Sequence, residues 1–140
     1  MLKISNELLD AIHAHGEESY PEEGAGFLLG TDSTVDGILP LTNAREDAAR
    51  HNRYLITPGD YLRAEEAADR LGRSLIGVFH SHPDHPNRPS EFDREWAQPF
   101  FSYIITSVER GRAVESRSWR ILEDRSQFVE ETIQITHGSE

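Results

Sequence analysis

The sequence of 140 residues contains no cysteine. This absence excludes a disulfide framework, a cysteine-based zinc finger, a thiol nucleophile and the cysteine-ligated zinc site of nucleotide deaminases. Apolar runs are short, and none approaches the roughly 20 residues that a membrane-spanning helix needs. The N-terminal stretch carries acidic residues and no cleavage-site pattern, so it does not resemble a signal peptide. We therefore predict a cytoplasmic protein that has no membrane partner.

Basic residues are also scarce. The 14 Lys and Arg residues are outnumbered by 25 Asp and Glu residues, which gives a formal net charge of −11, and Lys3 is the only lysine. Proteins that bind nucleic acids usually carry a basic patch, so we predict no nucleic-acid partner. We interpret the acidic charge as a solvated surface. The length favours one domain over residues 1–140, large enough to build a core without disulfides.

Hydrophobic periodicity predicts both helices and strands along the chain. The predicted helices cover residues 4–15, 61–71 and 90–97. The predicted strands cover residues 24–30, 35–41, 53–57, 74–80, 102–108, 113–122 and 128–135, with polar or proline-rich loops at 42–52 and 82–89. A mixture of this kind is typical of an α/β (α+β) layered domain.

Two histidines at the end of an apolar stretch are the first candidate site residues. His80 and His82 are separated by one residue. Side chains alternate between the faces of a strand, so both imidazoles point the same way, roughly 7 Å apart at the backbone. Two imidazoles at that separation can converge on one metal ion, with bonds of about 2.0–2.1 Å.

A catalytic zinc site needs a third protein ligand and keeps one open position. Asp93 is the preferred candidate, because Ser90 occupies an N-cap position and so places Asp93 in the first turn of the following helix. Asp84 and His85 are alternatives, but they lie in the tight loop beside His82, where the chain must turn away. Taken separately, Ser90 could be only a helix cap and Asp93 only an acidic residue favoured in the first turn of a helix. Neither explanation accounts for the spacing of the two residues from the histidine pair.

The spacing of these residues is similar to a known signature. The pattern H-x-H, seven residues, Ser, two residues, Asp is fulfilled by His80, His82, Ser90 and Asp93. It resembles the signature of the JAMM (MPN-plus) zinc metallopeptidases, and all of its positions match.

The family has one further element, a glutamate before a short apolar strand that ends in glycine. When the apolar run and Gly30 are aligned with it, the family glutamate falls on Glu23 rather than on Glu22. Without the resemblance, this stretch reads as an acidic turn before a strand.

The resemblance implies a fold, a cofactor and roles for residues. It implies a single mixed β-sheet layered with helices, the JAMM/MPN fold, which is cytidine-deaminase-like. It implies one Zn²⁺ per chain, held by His80, His82 and Asp93 with a water in the open position. It further implies that Glu23 is the general base and that the Ser90 hydroxyl stabilises the tetrahedral oxyanion.

Three stretches resemble the small bacterial branch of this family that acts on ubiquitin-like sulfur-carrier proteins. They are NARED near residue 43, HSHPDHPNRPSEFD at 80–93 and RSWRI at 117–121. The branch implies hydrolysis of a peptide or isopeptide bond at the C-terminal Gly-Gly tail of a small carrier. Such a tail is expected to lie along an exposed strand edge. A long insertion typical of polyubiquitin-specific relatives is absent, which argues against linkage-specific deubiquitination.

Other functions compete with this interpretation. The chain could be a non-catalytic MPN interaction module, although such modules lack part of the metal motif. A deubiquitinase-like isopeptidase of other specificity remains open, and a mononuclear iron enzyme would use the same two-histidine, one-carboxylate ligand set. An H-x-H amidohydrolase barrel would need a much longer chain. The leaving group and the oligomeric state stay open.

The remaining histidines and tryptophans are interpreted without a catalytic role. We predict that His13, His15 and His51 lie on the surface, and that His85 lies at the mouth of the site or on the surface. Trp96 and Trp119 are predicted to belong to the core.

Overall fold

The computed structural model describes residues 1–41 and 56–136. None of the helices in these two segments is long and apolar enough to cross a lipid bilayer. The described elements, in chain order, are β1 (Leu2–Ser5), α1 (Asn6–Ser19), β2 (Ala25–Thr31), β3 (Thr34–Pro40), α2 (Pro58–Arg70), β4 (Ser74–Pro83), α3 (Glu91–Trp96), β5 (Ser102–Glu109), β6 (Arg112–Ile121), β7 (Phe128–Glu131) and β8 (Ile133–Thr136).

The eight strands form one sheet in the order β7-β6-β5-β4-β2-β3-β1-β8. Strand β2 pairs antiparallel with both β3 and β4, whereas β4 pairs parallel with β5 and β1 pairs parallel with β3 and β8. The sheet is therefore mixed, and helices pack on it. The predicted single mixed β-sheet layered with helices is confirmed.

The core lies on both faces of the sheet. Along β2, Phe27 belongs to one buried cluster together with Ala64 of α2, and the next residue, Leu28, belongs to a second cluster together with Ile12 of α1. Consecutive strand residues point to opposite faces, so the two helices cover the two faces. Burial on both sides explains why β2 and the first part of β4 are continuous apolar runs rather than alternating patterns.

The first helix differs from its prediction at both ends. Residues 2–5 form a strand, and α1 begins only after Ser5, whose Oγ accepts the backbone N–H of Leu8 at 3.2 Å. The helix then continues past His15, where the predicted helix ended, to Ser19. Gly16 is tolerated because it packs against β4 and β5, and an added Cβ would lie 3.2 Å from Val108 Cγ2.

The predicted strand at 128–135 is two strands. Strand β7 pairs with β6 at one edge of the sheet, and β8 pairs with β1 at the opposite edge. Thr132 separates them, and its carbonyl oxygen accepts the Leu2 N–H at 2.8 Å. The parallel pairing of β8 with a strand at the other end of the chain leaves no local signal in the sequence.

Smaller corrections concern the segments around the candidate site. The predicted loop at 82–89 begins later, because His82 and Pro83 continue β4 beside β5. The predicted loop at 42–52 and residues 53–55 of a predicted strand lie outside the described residues. Thr57, the last residue of that predicted strand, instead caps α2 through a capping box with Asp60.

Candidate metal centre

Three buried side chains converge at the end of β4. His80, His82 and Asp93 form a group whose candidate ligand atoms all lie within 4.8 Å of one another. The His80 Nε2 atom lies 3.4 Å from Asp93 Oδ1, and the His82 Nε2 atom lies 3.4 Å from Asp93 Oδ2. The alternatives Asp84 and His85 are both exposed and do not belong to the group.

The distances in this cluster fit a metal ion. Bonds of about 2.0–2.1 Å in a tetrahedral arrangement place two ligand atoms about 3.3–3.4 Å apart. Both histidine–aspartate pairs show that separation. The two distances reach different oxygens of the carboxylate, and the candidate ligand atoms all lie within 4.8 Å of one another, so small side-chain shifts would bring three of them around one ion.

The backbone of β4 fixes the two histidines. His80 lies opposite Ala25 of β2 on one side and Ile105 of β5 on the other, and His82 lies opposite Ser107 of β5. Hydrogen bonding to neighbouring strands leaves the backbone little freedom. The i, i+2 spacing then brings the two rings to the same side, with centroids 5.0 Å apart, as the sequence predicted.

The tautomer of His82 is set by the loop that follows it. Its Nδ1 atom lies 2.7 Å from the carbonyl oxygen of Pro86. A carbonyl oxygen can only accept, so Nδ1 carries the hydrogen and donates it. In the neutral ring, Nε2 then keeps its lone pair on the side of Asp93. Metal-ligating histidines usually hold their second nitrogen in this way.

The carboxylate of Asp93 is oriented by a capping box at the start of α3. The Ser90 N–H donates to Asp93 Oδ2 at 2.7 Å, and the Asp93 N–H donates to Ser90 Oγ at 3.1 Å. The predicted N-cap at Ser90 is confirmed. These hydrogen bonds hold the carboxylate against the two histidines and leave the Ser90 hydroxyl hydrogen available to another acceptor.

The electrostatics of the cluster favour the protonation states that metal binding requires. Burial would raise the pKa of Asp93, but His80, His82 and the Ser90 N–H outweigh it and lower the pKa to about 2. Burial lowers the pKa of His80 to about 4 against the opposing effect of Asp93, and His82 lowers it further. At neutral pH, His80 is therefore uncharged and Asp93 is ionised, and both can donate lone pairs.

Glu23 is buried immediately before β2 and is tied to the same strand as the histidines. The Gly24 N–H donates to Ser81 Oγ at 2.8 Å, and the Gly24 carbonyl accepts the Ser81 N–H at 3.0 Å. Ser81 lies between the two histidines in sequence. Burial, and after it the charge of Asp93, raises the pKa of Glu23 to about 9. Strongly shifted carboxyl groups beside metal-binding residues are candidates for proton transfer.

Glu23 opens into a cleft of about 370 Å³. The residues that line it are Glu23, His82, His85, Pro86, Arg88 and Ser90. The structure therefore brings both predicted catalytic residues to one opening beside the candidate metal-binding cluster. It also places His85 at the mouth of this site, one of the two positions predicted for it. The neighbouring Glu22 is half-buried and does not line the cleft.

The loop between β4 and α3 is held by residues that the motif does not contain. The buried amide of Asn87 donates to the carbonyl oxygen and to Oε1 of Glu115, both at 3.2 Å, and the Asn87 carbonyl accepts the Trp119 Nε1–H at 3.1 Å. Asp84 accepts the Tyr20 hydroxyl at 2.6 Å. No spacing rule links these residues, because their partners lie far away in sequence.

Two predictions about tryptophans and histidines need correction. Trp119 is buried as predicted, but Trp96, at the end of α3, is 56% exposed. His13 and His15 were predicted to lie on the surface, yet both are half-buried between α1 and the sheet. His13 Nε2 lies 2.8 Å from Ser116 Oγ, and the His15 ring packs edge-on against Phe79. His51 lies outside the described residues.

Comparisons with known proteins identify the family of this chain. Residues 5–122 match the family described as prokaryotic homologs of the JAB domain. A probable TtuB-protein conjugate cleaving protease of Thermus thermophilus is 33% identical over 113 residues, covering 81% of this chain and 74% of that protein. A desampylase of Haloferax volcanii is 31% identical, covering 77% and 81%. A CysO-cysteine peptidase of Mycobacterium tuberculosis is 27% identical over 126 residues, covering 88% and 84%.

Solved structures show the same fold. The solution structure of a protein from Salinibacter ruber superimposes with a TM-score of 0.77 at 42% identity and covers 99% of this chain and 94% of that one. A structure described as JAMM, a metalloprotease-like zinc site in the proteasome and signalosome, has a TM-score of 0.61 at 18% identity, covers 98% and 99%, and supports the fold alone. The chain belongs to the prokaryotic branch of the JAB-domain family, with a JAMM fold.

Proposed function

We propose that this protein is a zinc-dependent hydrolase that cleaves a peptide or isopeptide bond at the C-terminus of a small ubiquitin-like or sulfur-carrier protein. The observation that carries the proposal is the meeting of a complete set of metal ligands, His80, His82 and Asp93, with Glu23 and Ser90 beside one cleft. The names of the relatives support a carrier or conjugate substrate. We propose one zinc ion per chain. We also propose a cytoplasmic location, and the absence of cysteine fits that location.

In the proposed reaction, the metal and Glu23 have separate roles. When bound to the three ligands, zinc would supply a Lewis acid for the scissile carbonyl and a positive charge that lowers the pKa of a nearby water and carboxyl group. Glu23 takes the proton from the attacking water and passes it to the departing amine. Its burial beside the cleft keeps bulk water from competing for that proton.

Ser90 is assigned to the oxyanion. Its Oγ accepts the Asp93 N–H, so its own hydrogen is free to be donated into the cleft that it lines. A preorganised donor at the developing oxyanion typically stabilises the transition state by a few kcal/mol, roughly 2.7–4 in well-studied hydrolases. One capping serine would thereby position a metal ligand and stabilise the transition state.

We propose a route for the substrate tail other than the strand-edge pairing expected from the sequence. Strands β2 and β4, which flank the site, each have a paired neighbour on both sides, and the edges of the described sheet are β7 and β8. Strand β2 therefore offers a tail no open edge, and neither does β4 over the part, Ser74–His80, that pairs with β2. We propose instead that it follows the cleft along the loop of residues 84–90.

The competing functions use the same residues differently. A non-catalytic module has no need for a buried ligand set beside a raised-pKa glutamate. An iron enzyme could share the ligands, and the metal content of the purified protein separates it from a zinc enzyme. A deubiquitinase-like isopeptidase of other specificity would cleave polyubiquitin but no carrier adduct.

The proposal is tested on carriers encoded near the gene in its genome. Each carrier would be prepared with a short extension after Gly-Gly and, separately, joined to a lysine side chain. The zinc-loaded protein should release unmodified carrier from at least one form, read by intact mass, and Asp93→Asn should not. Failure of the zinc-loaded protein to cleave either form of any such carrier would overturn the proposal.

A further inference from the structure

Arg88 is the one arginine that lines the described cleft beside Glu23 and Ser90. It is exposed, it lines the cleft shared by Glu23 and Ser90, and among residues 1–41 and 56–136 its guanidinium takes part in no ion pair or hydrogen bond. Other arginines of the chain pair with carboxylates. These are Arg63 with Asp60, Arg73 with Asp36, Arg94 with Glu91, and Arg117 with Glu115 and Glu130. In a chain of net charge −11, a cation left without a protein carboxylate at the cleft is available for an anion from outside.

The backbone that carries Arg88 is held firmly. The preceding Asn87 is buried and bonded through both its side chain and its carbonyl, and Ser90 is fixed as the cap of α3. Pro86 and Pro89 flank Asn87 and Arg88 and restrict the backbone there further. An arginine on such a segment loses less freedom on binding than one on an unanchored loop.

The cleft limits what the anion can be. A space of about 370 Å³ can hold one or two residues of a substrate, not a folded partner. Glu23, the proposed proton donor to the departing amine, lies in this cleft, so the leaving group lies there as well. A leaving lysine side chain presents an uncharged stem next to the scissile bond. A leaving amino acid or short peptide presents a terminal carboxylate, which a guanidinium binds with charge-assisted hydrogen bonds.

We propose that Arg88 is a specificity-determining residue that binds the terminal carboxylate of the leaving group. The enzyme would then favour carriers extended at their C-terminus by one amino acid or a short peptide over carriers joined to a lysine side chain. This inference rests on the proposed function, which leaves both kinds of leaving group open.

The experiment compares one carrier in two forms that differ only at the terminus. A carrier with alanine after Gly-Gly is prepared as the free acid and as the C-terminal amide. The parent should hydrolyse the acid with the higher kcat/KM, and Arg88→Gln should lower the acid-to-amide ratio roughly tenfold or more, mainly through KM. Arg88→Lys should keep part of the preference for the acid, and Arg88→Glu should reverse it in favour of the amide. Arg70→Gln, at the exposed end of α2, is the matched control and should not change it.

Binding provides a readout that does not depend on turnover. In a Glu23→Gln background, calorimetry should show tighter binding of the acid than of the amide, and adding Arg88→Gln should remove the difference. Equal ratios for parent and Arg88→Gln, or equal affinities for acid and amide, would overturn the role of Arg88 even if both carriers are cleaved. Absence of cleavage with the binding difference intact would instead count against the proposed function.

Discussion

Ser90 and Asp93 hold each other at the first turn of α3, each donating its backbone N–H to the other's side chain, at 2.7 Å and 3.1 Å. Because Asp93 also lies 3.4 Å from two histidines, this capping box sets the geometry of the metal cluster as well as the start of a helix. A change at Ser90 should therefore affect stability and chemistry together.

We expect Ser90→Ala to lower the free energy of unfolding by about 1 kcal/mol through loss of the cap. It should also reduce kcat by roughly 10²–10³-fold through loss of the oxyanion donor. Thermal unfolding and steady-state kinetics measure the two effects. Ser90→Thr keeps the hydroxyl and serves as the control. If Ser90→Ala kept the kcat of the parent, Ser90 would not be the residue that stabilises the oxyanion.

Glu23 and Asp93 should respond differently to neutralisation. Glu23→Gln should keep zinc near the parent level, since the glutamate is not among the ligands, but activity should fall by at least roughly 10²–10⁴-fold. In Asp93→Asn a neutral amide replaces an anionic ligand, so zinc content and activity should fall together. Elemental analysis and turnover under the same conditions distinguish the two outcomes.

Glu22→Gln is the matched control for the general base. Glu22 precedes Glu23 in the chain but does not line the cleft, so its substitution should change little. If Glu22→Gln were inactive and zinc-replete while Glu23→Gln stayed active, the assignment would be off by one residue. Full activity in both variants would mean that neither Glu22 nor Glu23 is the general base.

Much of the candidate site could be predicted because its residues follow local rules. Strand alternation placed His80 and His82 on one side, and helix capping placed Asp93 one turn after Ser90. Both rules operate within a few residues, and tertiary packing did not override them. The choice of Glu23 over Glu22 depended on the family alignment, and in the structure Glu23, not Glu22, lines the cleft.

The features that escaped prediction depend on contacts between distant residues. Strand β1 has four residues, too few to show a period, and its partner β8 lies at the other end of the chain. Asn87 looks like an ordinary loop residue until Glu115 and Trp119 are brought beside it by β6. Trp96 was misplaced because a large aromatic residue is usually buried, whereas here, at the end of a short helix, it is 56% exposed.

Asn87→Ala tests whether the loop after β4 needs its anchor. Its amide makes two part-buried hydrogen bonds to Glu115, one of them to the carboxylate, so their loss should lower the free energy of unfolding by about 1 kcal/mol. Zinc content should stay near that of the parent, because no ligand is changed, while KM should rise as Arg88 loses its fixed position. Glu115→Gln retains an acceptor oxygen and should have the smaller effect. An unchanged KM in Asn87→Ala would show that the cleft does not depend on this anchor.

The last prediction concerns the pH dependence of stability in the metal-free protein. Burial raises the pKa of Glu23 from 4.5 to about 9, so the folded state holds this proton more tightly than the unfolded state does. The associated stability is complete below pH 4.5 and is lost as the pH rises toward 9. The pKa of His80 falls from 6.5 to about 4 on folding and that of Asp93 from 3.8 to about 2, so nearly all of their contribution to the slope lies below neutrality. Denaturant unfolding of chelator-treated protein should therefore show stability falling between pH 7 and 9, by at most about 1.4 kcal/mol per pH unit. Glu23→Gln cannot ionise and should flatten this slope, whereas Glu22→Gln should keep it. An equal slope in the parent and in Glu23→Gln would mean that Glu23 is already ionised at neutral pH in the folded protein.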